Sequence, residues 1–478
     1  MTTNLRQNIL NQTLKNSMLD GASHSAMLGL TQNYVVPFAL AFRATTAQIG
    51  LLSSIPSLIM AFSQLTAPFL ARRAGSRKNF ILPVALIHAL IWLPILLIPY
   101  IFPGDKMWWL IGLMSLSAVF NSLANPAWGS LMADLVPENT RGRYFGQRAK
   151  ICGFVTLVFS FAAGGLLQWT TGNPFIGFSV IFGSAMLFRL ISWYFLSKMH
   201  EPLLSKTEKY HGNLLSAVKK MWPSNLGRFI IYVALVNFAT LLCGPFFAVY
   251  MLRDLQFNYF TYVTINATAS IATIAFMTFW GKRADRAGNI KVMRITAFLI
   301  PLVPVLWLVS KEVYFLIPIQ ILAGFAWSGF NLVSSNFLYD VSPRENRTQN
   351  IAIFNAINGL AMCLGALTGG FLVSRLPQIN GSSLLTLFLI SGILRGLIVL
   401  SPLRKIHEVR HVPRVSTINL MFGKHALPWA GIPNKLEPVL LPIQSVVDYI
   451  IPSMVPVPVH RSQQLAGANR GPPFFDDS

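Results

Sequence analysis

Residues 134–141 read DLVPENTR and residues 340–347 read DVSPRENR, so one pattern of Asp, Pro and Arg occurs twice in the chain, 206 positions apart. The same shift places Arg189 on Arg395. Similarity at a fixed spacing indicates a repeated structural unit. The sequence therefore predicts two similar halves in parallel arrangement.

The composition requires lipid as the solvent for most of the chain. Of the 478 residues, 53% are hydrophobic and only 11% are charged, and the mean hydropathy is +0.54. Soluble domains carry about 25% charged residues. The net charge of +22 does not indicate nucleic-acid binding, because the basic residues lie in short loops between apolar segments, as membrane topology requires.

Twelve apolar segments are long enough to cross a bilayer, which takes about 20 residues per helix. They lie near 18–41, 47–70, 79–102, 108–134, 147–169, 174–197, 228–251, 260–281, 292–310, 313–339, 350–374 and 382–402. We therefore predict an all-α polytopic membrane protein with two pseudo-symmetric six-helix halves. Its parts are an N-terminal half at 1–197, a cytoplasmic linker at 198–227, a C-terminal half at 228–403 and a Pro-rich cytoplasmic tail at 404–478.

The distribution of Lys and Arg predicts the orientation of these helices. Few of the 38 basic residues fall in the loops on one side of the predicted bundle; they are Arg43, Lys106, Arg253, Lys311 and Arg375. Because positively charged loops remain in the cytoplasm, both termini are expected there. The expected lipid bilayer is a bacterial inner (plasma) membrane.

Two loops carry a resemblance to a known family. Residues 281–291 read GKRADRAGNIK, and residues 137–143 read PENTRGR. Both are similar to hallmark loops of the major facilitator superfamily, and the resemblance covers about residues 18–403. It implies transport by alternating access between the two halves, with a solute site near the midplane of the membrane.

The first-half loop departs from the family pattern, because Arg72 stands where the second half has Asp285. In the family this acid is thought to help hold one arrangement closed, so we expect Asp134 to replace it by pairing with Arg77 or Arg73. The residues expected to gate the protein are Arg73, Gly75, Arg77, Asp134, Arg141, Asp285, Arg286, Gly288, Asp340 and Arg347. The alternative is that these charges only anchor helix ends and fix the topology.

Polar side chains within the predicted first, fourth, seventh and tenth spans are candidates for solute binding, since these helices line the cavity in the resembled family. The candidates are Asn33, Asn121, Asn125, Asn237, Asn331, Ser335 and Trp327. The alternatives are hydrogen bonding between helices for the polar residues and core packing for Trp327.

Asp20 and His24 lie four residues apart on one face of the first span. They are candidates for proton coupling, because His titrates near neutral pH. The alternative is a cap at the membrane interface with a packed histidine beside it. Arg148 and Lys150, which follow the 137–143 loop, would suit an anionic solute at the cytoplasmic mouth, or they anchor the helix by extending towards water.

The chain contains none of the usual motifs of catalysis or cofactor binding. It has no phosphate-binding Gly-rich loop, and the three cysteines have no metal-ligand spacing. We therefore expect no enzyme activity, no cofactor and no metal site. The predicted function is gradient-driven transport of a small solute by a protein favoured to be monomeric, with H⁺ or Na⁺ as coupling ion. The alternative is a non-transporting sensor or assembly scaffold.

Overall fold

A computed structural model describes residues 2–73, 75–136, 138–170, 172–201, 224–343, 347–400, 406–410, 412 and 420. Most of the predicted linker at 198–227 and of the predicted tail at 404–478 lies outside these residues. The boundaries of those two segments stay predictions.

Eight α-helices form the first half of the chain and eight more form the second. The first set is α1 (Thr2–Thr31), α2 (Val35–Ala41), α3 (Thr46–Arg73), α4 (Arg77–Leu90), α5 (Trp92–Ile101), α6 (Lys106–Leu135), α7 (Glu138–Trp169) and α8 (Pro174–Ser197). The second is α9 (Asn225–Cys243), α10 (Phe246–Val249), α11 (Tyr259–Ala287), α12 (Asn289–Leu299), α13 (Leu302–Leu306), α14 (Val313–Val341), α15 (Arg347–Leu372) and α16 (Ser383–Leu400). The predicted all-α class is confirmed, because no strand occurs among these described elements.

Within the described residues, 11 helical segments are long and apolar enough to cross a membrane. The predicted span at 18–41 is not among them, because it is divided between α1 and the short α2 and α1 is rich in polar residues. Four spans that were predicted as continuous are interrupted, at the junctions α1/α2, α4/α5, α9/α10 and α12/α13. A π-helical turn at Tyr250–Asp254 ends the third of these spans, and a 3-10 turn at Val373–Arg375 ends the predicted span at 350–374.

The interruption between α1 and α2 has a definite cause in Pro37. Proline has no backbone N–H, so it cannot bond the carbonyl four residues earlier, which is that of Asn33. The Tyr262 hydroxyl of α11 donates to this free carbonyl over 2.9 Å. Membrane interiors require such a substitute donor, and here it comes from the opposite half of the protein.

Small residues bring α3 and α15 together across the boundary between the halves. A Cβ added at Gly370 would lie 3.0 Å from the Gly50 Cα and 3.0 Å from the Thr46 carbonyl oxygen. Near the middle of both helices, a Cβ at Gly359 would lie 2.2 Å from the Ala61 Cβ. Such close approach of backbones is typical of helix packing in lipid.

The two ends of the bundle differ. We call the end that carries Ser76, Glu201, Gly288 and Glu408 the loop end, and the opposite end, where α2 ends and α3 begins, the far end. The contacts of Gly370 and Tyr262 join the two halves at the far end. The charged contacts at the loop end, described below, each join residues of one half.

A bulky residue at Gly370 is expected to open the far end, since no side chain fits between α15 and α3. In a background without native cysteines, a cysteine at Val263, which is 0% exposed in this arrangement, reports on that opening. The Gly370→Val variant should react with a water-soluble maleimide several-fold faster than its parent.

The matched control is Gly165→Val, because a Cβ at Gly165 would meet nothing within 4 Å. Its labelling rate should equal that of the parent. Equal rates in Gly370→Val and in the parent would contradict the role assigned to the crossing of α3 and α15.

Candidate functional site

A chain of hydrogen bonds between charged groups lies inside the first half. Asp20 of α1 is 4% exposed and accepts a 2.7 Å hydrogen bond from the Ser192 hydroxyl of α8. Arg189, one turn earlier on α8 and 5% exposed, donates from Nη1 to the same hydroxyl oxygen over 2.7 Å. Ser192 therefore connects a buried carboxylate to a buried guanidinium.

The other side of Arg189 contacts a histidine. Its Nε donates to His88 Nδ1 of α4 over 3.1 Å. This bond uses Nδ1 as the acceptor, so the ring proton of a neutral His88 lies on Nε2. His88 is 3% exposed, and the network thus joins α1, α4 and α8. Charged groups at this depth are expensive unless they are bonded to one another.

A second arginine approaches Asp20 from α7. Arg148 Nη2 lies 3.8 Å from Asp20 Oδ2, and its side chain is 19% exposed. Its guanidinium stacks on the ring of Trp128, with Cζ 4.3 Å from the ring centroid. Its Nε donates to the Ser17 carbonyl over 3.4 Å. The guanidinium of Arg148 fits here because residue 21 is a glycine. A Cβ at Gly21 would lie 2.6 Å from Arg148 Nη2.

These groups surround a cavity of about 130 Å³. It is lined by Asp20, His24, Ile81, Asn121, Ala124, Asn125, Trp128, Arg148, Arg189 and Leu196. Asn125 is exposed, so the cavity extends from the buried carboxylate towards the surface of the half. Two buried nitrogen atoms of its wall, His24 Nδ1 and Trp128 Nε1, have no hydrogen-bond partner among the described residues.

The structure thus brings together four of the predicted candidates, Asp20, His24, Asn121 and Asn125. Asp20 is not a cap at the membrane interface, since it is buried beside Ser192. Their roles in coupling or binding stay predictions.

The remaining candidates lie elsewhere. Asn33 is at the far end, where its amide donates to Ser160 Oγ over 3.3 Å. Asn237 donates to Asn358 Oδ1 of α15 over 2.7 Å, which is the interhelical alternative considered above. The exposed pair Asn331 and Ser335 lies on α14, as does the half-buried Trp327, which packs edge-on against Phe330.

The predicted pairing of Asp134 with Arg77 is present. Arg77 Nη1 lies 2.7 Å from Asp134 Oδ2 and donates to Ser130 Oγ over 3.0 Å. Arg73 is exposed, so of the two arginines considered it is Arg77 that takes the place next to Asp134. Whether the pair acts in gating stays a prediction.

Glu201, which the sequence analysis did not select, holds the other side of Arg77. Its carboxylate accepts from the backbone N–H of Arg77 over 2.9 Å and from that of Lys78 over 3.3 Å, and it also accepts from the Ser76 hydroxyl. Partial burial disfavours the charged form, but these hydrogen bonds outweigh it and lower the pKa of Glu201. A carboxylate at this helix N-terminus is also favoured by the helix dipole.

The second half repeats this arrangement with different residues. Glu408 accepts from the backbone N–H of Ile290 at the start of α12 over 2.9 Å. Asp340 accepts from the Asn289 amide over 2.7 Å, and Arg410 Nε lies 2.7 Å from its carboxylate. Arg410 Nη1 is also 3.6 Å from Asp285. The arginine next to the helix-end aspartate therefore comes from the start of α4 in one half and from after α16 in the other.

The other predicted gating residues are placed as follows. Gly75 and Gly288 have φ of 69° and 86°, a backbone conformation that glycine adopts readily. Arg286 is exposed, and Arg347 Nη2 donates to the Tyr339 carbonyl over 3.3 Å. The side chain of Arg141 lies outside the described residues.

A sequence signal for the two capping glutamates exists in the repeat. His200-Glu201 and His407-Glu408 follow the last helix of their halves at nearly the same 206-residue shift. No comparable signal marks Ser192, because a single serine in an apolar span is common.

The profile of the Major Facilitator Superfamily matches residues 21–267 and 233–432. The chain therefore belongs to the Major Facilitator Superfamily, which confirms the resemblance. It is an integral membrane protein, and its family and structural neighbours are transporters rather than enzymes. A search among curated proteins finds no match.

Solved transporter structures share the two-half fold. The nucleoside transporter NupG superposes with a TM-score of 0.62 at 17% identity, covering 82% of this chain and 97% of that chain. The xylose transporter XylE from E. coli, in an inward open conformation, gives 0.59 at 16%, covering 84% and 96%. A bacterial homologue of the iron transporter ferroportin gives 0.61 at 15%, covering 83% and 99%. Identities this low show the fold alone.

Removing the hydroxyl of Ser192 should destabilise the first half, because Asp20 Oδ1 and Arg189 Nη1 both lose a buried partner. We expect Ser192→Ala to lower the free energy of unfolding by about 1–3 kcal/mol, measured as a lower apparent melting temperature in detergent. The control is Ser197→Ala, whose exposed hydroxyl bonds only a carbonyl of its own helix. Equal loss in both variants would contradict the bridging role of Ser192.

Replacing Glu201 by Gln should reduce stability by about 1 kcal/mol near pH 7. The folded-state pKa of Glu201 lies below its ordinary value of 4.5. Its stabilisation is therefore complete above that value and is lost as the pH falls through the folded-state pKa. The gap in apparent melting temperature between wild type and Glu201→Gln should close on acidification.

Glu312→Gln serves as the control for that measurement, because the side chain of Glu312 makes no cap hydrogen bond at the start of α14. A gap between wild type and Glu201→Gln that is unchanged in acid would show that the carboxylate charge is not what stabilises α4.

Proposed function

We propose that this protein is a proton-driven secondary transporter of a small solute that works by alternating access between its two six-helix halves. The observation that carries the proposal is the buried, hydrogen-bonded Asp20 beside a solvent-connected cavity in the first half. The fold by itself supports solute transport by alternating access.

The contacts between the halves support the alternating part of the proposal. The described far-end contacts, of Tyr262 with Asn33 and of Gly370 with Gly50, cross from one half to the other. The loop-end ion pairs of Arg77 and Arg410 remain within their halves. A rigid-body rotation of one half against the other can therefore open the far end and close the loop end without breaking contacts inside either half.

Both clusters at the loop end are suited to that motion. Glu201 and Glu408 bond the N-termini of α4 and α12, and Asp134 and Asp340 hold an arginine beside them. These contacts keep the helix ends of each half together as one body, which is the role we assign to the predicted gating residues.

Asp20 is the group we assign to proton coupling. Its Oδ1 is held by Ser192, whereas Oδ2 faces Arg148 at 3.8 Å, beyond hydrogen-bond distance. A proton on Oδ2 therefore needs no change in the Ser192 contact. Intramembrane acids commonly carry protons. His24, in the wall of the same cavity, is the exit or entry point for this proton.

The orientation follows from the asymmetric loop charges. With both termini in the cytoplasm of a bacterial cell, the closed far end faces outwards and the cavity opens inwards. The protein acts as a monomer in this proposal, since the residues assigned to coupling and to the loop-end ion pairs all come from one chain.

The test is transport by the full chain in proteoliposomes with an inward proton gradient. The solutes are D-xylose, uridine, lactate, phosphate and tetraphenylphosphonium. We expect accumulation of at least one solute, and Asp20→Asn should abolish gradient-driven accumulation while retaining exchange of labelled for unlabelled solute. Glu312→Gln, which changes a carboxylate in a far-end loop, should transport like the wild type.

The contrary outcome combines two results. Failure to move any of these solutes, together with a cysteine at Val263 that stays unreactive in their presence, would identify a static scaffold. Accumulation that persists unchanged in Asp20→Asn would remove Asp20 from the coupling step and leave alternating access in place.

A further inference from the structure

The cavity of the first half has an excess of positive charge. Two guanidinium groups, Arg148 and Arg189, and a single carboxylate, Asp20, line it. With the histidines counted as neutral, the lining carries one net positive charge. Uncompensated charge at this depth is costly, and a bound anion would lower that cost.

The two arginines are not equivalent. Arg189 donates to His88 and Ser192 and is 5% exposed, so its role is structural. Arg148 makes one hydrogen bond within the described residues, a 3.4 Å contact from Nε. Within the described part of the chain, the one ion pair of its Nη atoms is with Asp20, at 3.8 Å. Five N–H groups are available on a guanidinium, and those on the Nη edge of Arg148 donate to no described residue within hydrogen-bond distance.

The surroundings fix this edge in place. The guanidinium lies over the ring of Trp128, and Gly21 lets it approach the backbone of α1. A planar, oriented guanidinium is the geometry that binds carboxylate or phosphate through two parallel hydrogen bonds. His24 Nδ1 has no partner among the described residues and supplies a further hydrogen-bonding atom, as does the N–H of Trp128, which lies on the Asp20 side of the cavity.

Resting on the proposed function, we infer that the transported solute is a small oxyanion, a carboxylate or phosphate held by Arg148 with Trp128 and His24. The cavity of about 130 Å³ has space for the anionic group of such a solute.

This binding mode also explains the coupling. An oxyanion that takes the Nη edge of Arg148 removes the nearest cation from Asp20 Oδ2, and a proton from water then adds to that oxygen. One anion and one proton enter together without net charge. The groups that face Asp20 from the packed helices are His24 on α1, Trp128 on α6, Tyr144 and Arg148 on α7, and Ser192 with Arg189 on α8.

The experiment compares lactate with lactamide, its uncharged analogue of nearly equal shape, and adds inorganic phosphate as the second oxyanion. Binding to the purified full chain is followed by the apparent melting temperature, which a ligand of the folded state raises. Lactate or phosphate should raise it, and lactamide should not. The difference between lactate and phosphate tells which oxyanion the site prefers.

Three variants locate the binding. Arg148→Gln should weaken oxyanion binding at least about 10-fold, whereas Lys150→Gln, which removes an exposed charge from the same helix, should not. Tryptophan emission should change on binding because Arg148 stacks on Trp128. Trp128→Phe should lose that change while a melting shift remains.

The outcomes separate this inference from the proposed function. Stabilisation by lactamide equal to that by lactate, wild-type affinity in Arg148→Gln, or no binding of either oxyanion to folded wild type would overturn the oxyanion site. Transport of D-xylose or uridine without oxyanion binding would support the proposed transport function and contradict the inferred oxyanion site. Binding of lactate without its transport would support the oxyanion site and contradict the proposed transport function.

Discussion

The guanidinium of Arg189 lies within the first half at a depth where lipid surrounds the bundle, and its neighbours must satisfy it. Ser192 and His88 accept its hydrogen bonds, and Ser192 passes the contact on to Asp20. Breaking a buried network of this kind typically costs several kcal/mol. The positions of α1, α4 and α8 are therefore tied to one another, and the cavity beside them keeps its shape for the same reason.

The equivalent arginine of the second half is satisfied in another way. Arg395 is 2% exposed and has no carboxylate partner among the described residues, but its Nη2 lies 3.1 Å from Cys243 Sγ and its Nη1 lies 3.4 Å from the Ile300 carbonyl. Pro304, four residues later, leaves that carbonyl without its helical donor. The two halves thus have equivalent helices but different charged groups. Among the described residues, Arg189 of the first half is linked to a carboxylate and its equivalent Arg395 is not.

Rigid halves and an exchangeable contact between them are what alternating access requires. Glu201 and Glu408 secure helix ends inside each half, where backbone N–H groups would otherwise lack partners. Between the halves, the far end relies on close backbone packing at Gly370 and a hydrogen bond to the Asn33 carbonyl. Such contacts depend on shape, so rotation of one half releases them together.

The sequence alone determined the membrane class, the repeat and the family, because apolar length, loop charge and a 206-residue shift are local or periodic properties. It named Arg77 and Arg73 as possible partners of Asp134, and the structure pairs Asp134 with Arg77. The sequence could not show that Asp20 contacts a serine 172 residues away, nor that the amide of Asn237 donates a hydrogen bond to Asn358. Those contacts depend on which faces of distant helices meet. Only the tertiary structure shows which faces meet, because lipid solvates all apolar helix faces equally well. Small residues and the few polar groups that need hydrogen-bond partners determine which faces pack together.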